Sequence, residues 1–243
     1  MKAVIVAAGR GKRLMPLTAD TPKPLLPIHG TPLLEYLLRG LRWSGIKDVV
    51  IVVRYLGEKI IEKYGDGSRL DMRIEYAWQE GPDGTGSAAL SAEKYAGVEP
   101  FMLLWGDVLM SPENYRRIQG LYTVHPCALL SALNWLDDPS TGASVMVDGE
   151  RLISIEEKPA PGTARSNWNQ AGLFICTQAM LTTLHECGLS PRGEIEFTSG
   201  VQNLLDGGQD VRWMPLEGFW SDVGTPELLA YLNLESAAAD LLR

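Results

Sequence analysis

The sequence predicts an α/β protein with a mixed, mostly parallel central sheet flanked by helices. Apolar, β-rich runs alternate with amphipathic helical patterns over the first hundred residues, the signature of βαβ units. Residues 2–7 are apolar almost without interruption, as in a strand covered on both faces, and a glycine-rich turn follows at once. The third observation is size: 243 residues, 45% of them hydrophobic, can bury a large core. No repeat, low-complexity tract or long linker divides the chain, so one domain over 1–243 is expected, with halves meeting near residue 110.

Each element has its own local signal. After the first strand and its loop, Thr31-Pro32 reads as an N-cap with proline at the first helical position, opening a helix to about Trp43 that buries Leu33, Leu37, Leu38 and Leu41. A strand over 48–53, a short helix over 58–64, a strand over 72–78, a helix over 87–95 and a buried strand over 101–105 follow. That strand ends at Gly106-Asp107. The alternation then lapses, and 128–155 reads as paired strands with Asp148-Gly149 as a hairpin turn between 144–147 and 152–156. Residues 159–169, rich in Pro, Gly, Ser and Asn, predict a surface loop, and 172–176 a return to the core. Thr225-Pro226-Glu227 combines an N-cap, a proline and a first-turn carboxylate, and so predicts the start of the last helix.

The charge balance excludes several roles. A formal net charge of −8 repels a polyanion, and no Lys or Arg run makes a basic face, so no nucleic-acid partner is expected. No apolar stretch reaches the ~18 residues of a membrane span. The start meets Arg10 too soon for a secretory signal, so a cytoplasmic location is the default expectation. Cys127, Cys176 and Cys187 fit neither a disulfide framework nor a zinc site and predict buried thiols. His29, His125 and His185 lie in no metal spacing.

The loop Ala7-Ala8-Gly9-Arg10-Gly11-Lys12-Arg13-Leu14 can turn backbone N–H groups toward an anion at the carboxyl edge of the sheet, with glycine where backbone must approach phosphate. It is not a dinucleotide fingerprint, because Leu14 stands where the third glycine belongs, and no P-loop is present. Thr21-Pro22-Lys23-Pro24-Leu25-Leu26-Pro27-Ile28 follows, and its prolines are expected to hold Lys23 on a stiff, extended support. Together these segments resemble the opening motifs, GxGxRL and TPKPLLPI, of the sugar-1-phosphate nucleotidyltransferases. The resemblance implies a Rossmann-like fold with a small β-rich sugar-binding lobe. It also implies a loop that wraps a nucleoside triphosphate, contacts from Ala7, Ala8, Gly9 and Gly11, and Arg13 and Lys23 on its phosphates.

The likeness continues along the chain. The segment 79–88 is similar to the family's base-binding loop, which implies base contacts from Gln79 and from backbone near Gly84. Asp107, at the end of a buried strand, is a reasonable oxygen ligand for Mg²⁺, and Asp222 matches the family's W-x-D-x-G-T segment. The resemblance implies that they share one Mg²⁺. Glu156-Glu157-Lys158-Pro159 resembles the EEKP segment, implying Lys158 on the phosphate of a sugar 1-phosphate and Glu157 on sugar hydroxyls. Arg192 and Glu194 are assigned to the sugar pocket. Two departures bear on the acceptor: a glycine of relatives is either Gly142 or replaced by Ala143, and Gln170, beside Asn169, stands where relatives often have Asn. The implied reaction is Mg²⁺-dependent transfer from UTP or dTTP to a sugar 1-phosphate, giving a nucleotide sugar and pyrophosphate. Cytidylyl or guanylyl transfer, a non-sugar phosphate or phosphonate acceptor, and a non-catalytic nucleotide-sugar sensor remain open. Members of this family often associate, and no surface for that is legible here.

Overall fold

The computed structural model describes residues 1–241. Nine strands form one sheet: β1 (Ala3–Val6), β2 (Asp48–Val53), β3 (Arg73–Trp78), β4 (Phe101–Trp105), β5 (Leu129–Trp135), β6 (Ala143–Asp148), β7 (Arg151–Glu157), β8 (Trp168–Cys176) and β9 (Val211–Pro215). Their order is β3-β2-β1-β4-β8-β5-β9-β7-β6. The β3-β2-β1-β4 half is parallel. β8 runs antiparallel on β4, and beyond it only β5 and β9 are parallel. β6 bonds back onto β8 at Asn169–Ser144, which curls five strands into a small β-rich lobe.

Two apolar layers explain why β1 is apolar throughout. Ala3 and Ile5 pack under the helices Leu33–Trp43, Gly57–Tyr64 and Glu113–Val124. Val4 faces the opposite layer, beneath Thr85–Ser91, Gln178–Glu186 and Phe197–Asp206. Alternate side chains of one strand thus both lose water, with about 25 cal/mol gained per Å² of apolar surface buried. Because β1 to β4 are parallel, the segments that leave them all emerge at one edge. That edge carries the glycine-rich loop after β1, Gln79 after β3 and Asp107 after β4.

Several sequence-based expectations shift. The first helix is Leu33–Trp43, with the four predicted leucines buried, but Thr31–Pro32 does not cap it: these residues pair with Pro27–Ile28 as a two-stranded ribbon. The helix expected over 87–95 is two, Thr85–Ser91 and Glu93–Ala96, broken at Ala92. Asp148 pairs with Arg151, which moves the hairpin turn to Gly149-Glu150, with Gly149 supplying the positive φ. β8 begins at Trp168, shortening the surface loop, because Trp168 and Asn169 pair with Trp135 and Asn134. Helix Glu113–Val124, unmarked in the sequence reading, lies between Asp107 and the strands expected over 128–155. Thr225 does cap Pro226–Leu232, its hydroxyl accepting from the Leu228 N–H at 3.3 Å, but a further short helix, Ser236–Asp240, follows. Cys127 and Cys176 are buried as expected, whereas Cys187 is only partly so. Burial raises all three thiols, Cys127 to about 11. Among the described residues, no helix is long and apolar enough to cross a membrane.

Gly106 is where β4 approaches β1 most closely at the shared edge. Its N–H donates to the Val6 carbonyl at 2.8 Å, and a Cβ placed there would lie 2.6 Å from that same oxygen. Gly106→Ala should therefore push β4 off β1 and destabilise the fold by about 2 kcal/mol or more, measured by urea unfolding; wild-type stability would contradict this packing.

Candidate active site

The glycine-rich loop is shaped by one steric demand. Gly11 has φ +64°, and a Cβ there would meet Thr18 Cγ2 at 3.0 Å and Lys23 Cβ at 3.3 Å. The Thr18 hydroxyl donates to the Gly11 carbonyl at 2.9 Å, and the Tyr55 hydroxyl donates to the Ala19 carbonyl, so the loop and the 18–23 segment are one piece. Lys23 is not extended as expected. It opens a single 3₁₀ turn, Lys23–Leu25, in which the Leu26 N–H bonds the Lys23 carbonyl; the extended conformation falls on Pro22 instead. The result is still a fixed cation: the Lys23 side chain is only 10% exposed and its Nζ lies 2.6 Å from Asp107 Oδ2. Removing the partner of a buried ion costs roughly 3–5 kcal/mol, and less where one member, here Asp107, meets solvent.

The two aspartates, more than one hundred residues apart in the chain, are joined by backbone. Val108–Met110 pairs antiparallel with Trp220–Asp222, placing Asp222 opposite Val108, and the Val223 N–H donates to the Asp107 carbonyl at 2.9 Å. Ser111 and Asn114 clamp the incoming strand: Ser111 exchanges bonds with the Phe219 backbone, and Asn114 both donates to and accepts from Glu217. A Cβ on Gly224 would lie 2.7 Å from Asp222 Oδ2 and 3.3 Å from Arg13 Nη2, so Arg13 and Asp222 close on the same small space. Burial, then the Asp107 charge, raises the Asp222 carboxyl above its ordinary value, while Lys23 and Arg13 draw it back. Two hard oxygen donors that repel one another, flanked by cations, suit a divalent cation. Among the described residues, no cluster of three or more His, Cys, Asp or Glu could hold a metal. The pair alone fits Mg²⁺, which commonly takes one or two carboxylates and completes its shell with water and substrate phosphates.

Gln79 is buried, and its Nε2 donates to the Pro82 and Gly84 carbonyls at 3.2 and 3.3 Å, bracing the loop it was expected to serve. Gly84 (φ +117°) packs so closely that a Cβ would sit 2.2 Å from the Ile195 carbonyl. Ile195 also bonds Asp83 and Gly86 through its backbone. The segment after Arg192 is thus fastened to the loop after β3.

At the other end, Lys158 (φ +47°) follows β7, and its N–H bonds the Gly142 carbonyl at 2.8 Å. Gly142 leaves no room for a side chain: a Cβ would lie 2.1 Å from Asn169 Oδ1, which instead accepts from the Ala143 N–H at 2.9 Å. Glu157 Oε1 is shared by Lys158 Nζ and Arg192 Nη2, each at 3.4 Å, and Arg192 also meets Glu196 at 3.0 Å and Glu194 at 3.7 Å. Gln170 is buried beside Asn169 on β8. The predicted residues therefore form two groups. Arg13, Lys23, Asp107 and Asp222 gather at the sheet edge; Gly142, Glu157, Lys158, Arg192 and Glu194 gather at the lobe.

Sequence reading missed Ser111, Asn114 and Glu196. Ser111 carried a legible signal, since Ser111-Pro112-Glu113 repeats the polar-Pro-Glu pattern recognised at Thr225; Asn114 lies beyond that pattern.

A profile described as nucleotidyl transferase matches residues 2–239. A glucose-1-phosphate thymidylyltransferase of Streptomyces griseus is 32% identical over 224 residues, covering 92% of this chain and 62% of that protein. A bifunctional protein GlmU of Methanocaldococcus jannaschii is 30% identical over 227 residues, 93% of this chain and 52% of its own. The chain thus spans between half and two thirds of these relatives. A structure from Bacillus anthracis, solved as a glucose-1-phosphate thymidylyltransferase with a sucrose, superposes with a TM-score of 0.87 at 26% identity, covering 98% of this chain and 95% of that one. A UDP-glucose pyrophosphorylase structure shares the fold at TM-score 0.85 and 23% identity, covering 96% and 97%.

The raised Asp222 carboxyl has a sign that can be checked. The folded state holds this proton to higher pH than the unfolded chain does, so the residue's contribution to stability falls as pH rises above the ordinary Asp range near 4. Asp222→Asn should be at least as stable as wild type at pH 7, the difference shrinking as the pH falls to about 4, in urea unfolding at both pH values. A variant that loses stability at pH 7 would contradict the assigned repulsion.

Proposed function

The chain belongs to the nucleotidyl transferase family, and from that premise we propose that it transfers a nucleotidyl group from a nucleoside triphosphate to a sugar 1-phosphate, releasing pyrophosphate. The observation that carries the reading is the meeting of Lys23, Asp107, Asp222 and Arg13 at the carboxyl edge of β1 and β4. Cations and carboxylates placed there serve phosphate chemistry, in which positioning and charge neutralisation do most of the work.

An oxygen of the sugar 1-phosphate attacks the α-phosphorus in line, the bond to the β-phosphate oxygen breaks, and no covalent enzyme intermediate forms. Ala7, Ala8, Gly9 and Gly11 shape the loop around the triphosphate, with Arg13 and Lys23 on its charges. Lys158 brings in the second anion, relieving phosphate–phosphate repulsion, and Glu157 accepts from sugar hydroxyls. Asp107 and Asp222 would hold Mg²⁺, which as a Lewis acid supplies further neutralisation of the reacting phosphates.

UTP or dTTP is the proposed donor. With its Nε2 bound to loop carbonyls, Gln79 offers Oε1 as an acceptor, which suits the N3–H shared by uracil and thymine and absent from cytosine. Gly84 keeps the backbone close enough to help.

Pyrophosphate release across five nucleoside triphosphates and a panel of sugar 1-phosphates tests the proposal, with turnover expected for UTP or dTTP. Silence with every pair would overturn it. Asp107→Asn should keep the fold and lower turnover by about 10²-fold or more; near-normal turnover would remove Asp107 from the reaction.

A further inference from the structure

The two residues that follow β2 reach in opposite directions, each to one of the loops placed around the donor. Arg54 donates from Nη1 to Asp83 Oδ1 at 2.6 Å and from Nη2 to the Gly81 carbonyl at 3.3 Å, so its fork spans the turn between Gln79 and Gly84. Tyr55 turns the other way: its hydroxyl donates to the Ala19 carbonyl at 2.8 Å, and the Arg10 guanidinium of the glycine-rich loop lies 5.0 Å from its ring centre. The connector is itself tied to β3. Val53 pairs with Trp78, the Gln79 N–H donates to the Val53 carbonyl at 2.9 Å, and a Cβ on Gly57 would lie 2.9 Å from Trp78 Cη2.

As a stabilising device the Arg54–Asp83 pair is weak. The Arg54 side chain is 39% exposed and that of Asp83 70%, and exposed pairs are screened by water and salt. What a planar guanidinium fork fixes is geometry, since two acceptors must keep their places relative to one plane. The carbonyls that receive Gln79 Nε2 belong to Pro82 and Gly84, the neighbours of Asp83 on either side. The Asp83 carbonyl in turn accepts from the Ile195 N–H at 3.1 Å, so its side chain and backbone are anchored to different elements. While the Pro82 and Gly84 carbonyls stay in place, the Gln79 amide cannot turn over, because Oε1 would then face two carbonyl oxygens.

We propose that Arg54 is a positioning residue for the donor's base: by holding residues 81–83 it keeps the Gln79 amide in the one orientation that offers Oε1 to the N3–H of uracil or thymine. This deepens the proposed reading of the donor site and rests on it. Cytosine presents an acceptor at N3, so a fixed Oε1 repels it, and that repulsion is the discriminating element. Released from Arg54, the turn shifts, the amide rotates, and Nε2 then serves cytosine. Arg54 thus sets the choice among pyrimidines without touching the nucleotide, and it stands apart from Arg13 and Lys23, which are assigned to the phosphates.

The test measures, by calorimetric titration with Mg²⁺, the binding of UTP, dTTP, CTP and inorganic triphosphate, which has no base, to wild type, Arg54→Met and Asp83→Ala in the whole chain. Wild type should prefer UTP or dTTP to CTP. Each variant should keep its thermal midpoint and its affinity for inorganic triphosphate, and should lose about tenfold or more of that preference, partly through tighter binding of CTP. The double variant should lose no more than the worse single one, since both substitutions remove the same contact. An unchanged preference in the variants would overturn the proposal. Equal losses for UTP and inorganic triphosphate would overturn it as well, by making Arg54 a phosphate contact, and so would a lower midpoint with the preference intact, the mark of a purely structural pair. Wild type indifferent to the base would overturn this assignment; selective binding of UTP or dTTP without pyrophosphate release from any sugar 1-phosphate would overturn the transferase reading alone.

Discussion

The site depends on one short antiparallel pairing, Val108–Met110 against Trp220–Asp222. Each strand of this ribbon is three residues long, too little to persist alone in water. It holds because its ends are tied: the Val223 N–H to the Asp107 carbonyl, Ser111 to Phe219, Asn114 to Glu217, and Trp220 Nε1 to the Ala171 carbonyl of β8. Through it the last quarter of the chain returns to the edge of the first half. Asp107 is positioned by β4, which β1 and β8 flank, while Asp222 hangs on the ribbon. The glycines fit the same logic: Gly106 lets β4 close on β1, and Gly224 leaves the space that Arg13 and Asp222 share.

The charges at that edge work against the fold. Asp222 is pushed toward its neutral form by burial and by Asp107, and Lys23 is enclosed with a carboxylate as its partner. An arrangement made only for stability would replace such a group with a neutral one. Its retention in a chain of net charge −8 suits the proposed phosphate chemistry, in which few cations must each be placed. The lobe shows the same economy, with Arg192 balancing Glu157, Glu194 and Glu196.

Much of this was legible in the sequence, for identifiable reasons. Strands buried on both faces, such as β1 and β4, announce themselves by unbroken apolar runs, and the motifs around Lys23, Asp107, Lys158 and Asp222 are contiguous. What escaped depends on partners distant in the chain. Thr31-Pro32 carries a sound capping signal, yet it pairs with Pro27–Ile28, a tertiary choice that overrides local preference. The prolines around Lys23 predict an extended backbone, but the residue opens a turn closed by the Leu26 N–H on its carbonyl, and the extended conformation falls on Pro22.

The central claim is that Asp107 and Asp222, brought together by the ribbon, act as one unit. A double-mutant cycle on pyrophosphate release, using Asp107→Asn, Asp222→Asn and the pair, tests it most directly. Groups that share one task are strongly non-additive, so the double variant should be scarcely slower than the slower single variant. Losses that multiply would show two carboxylates working independently and would contradict the account.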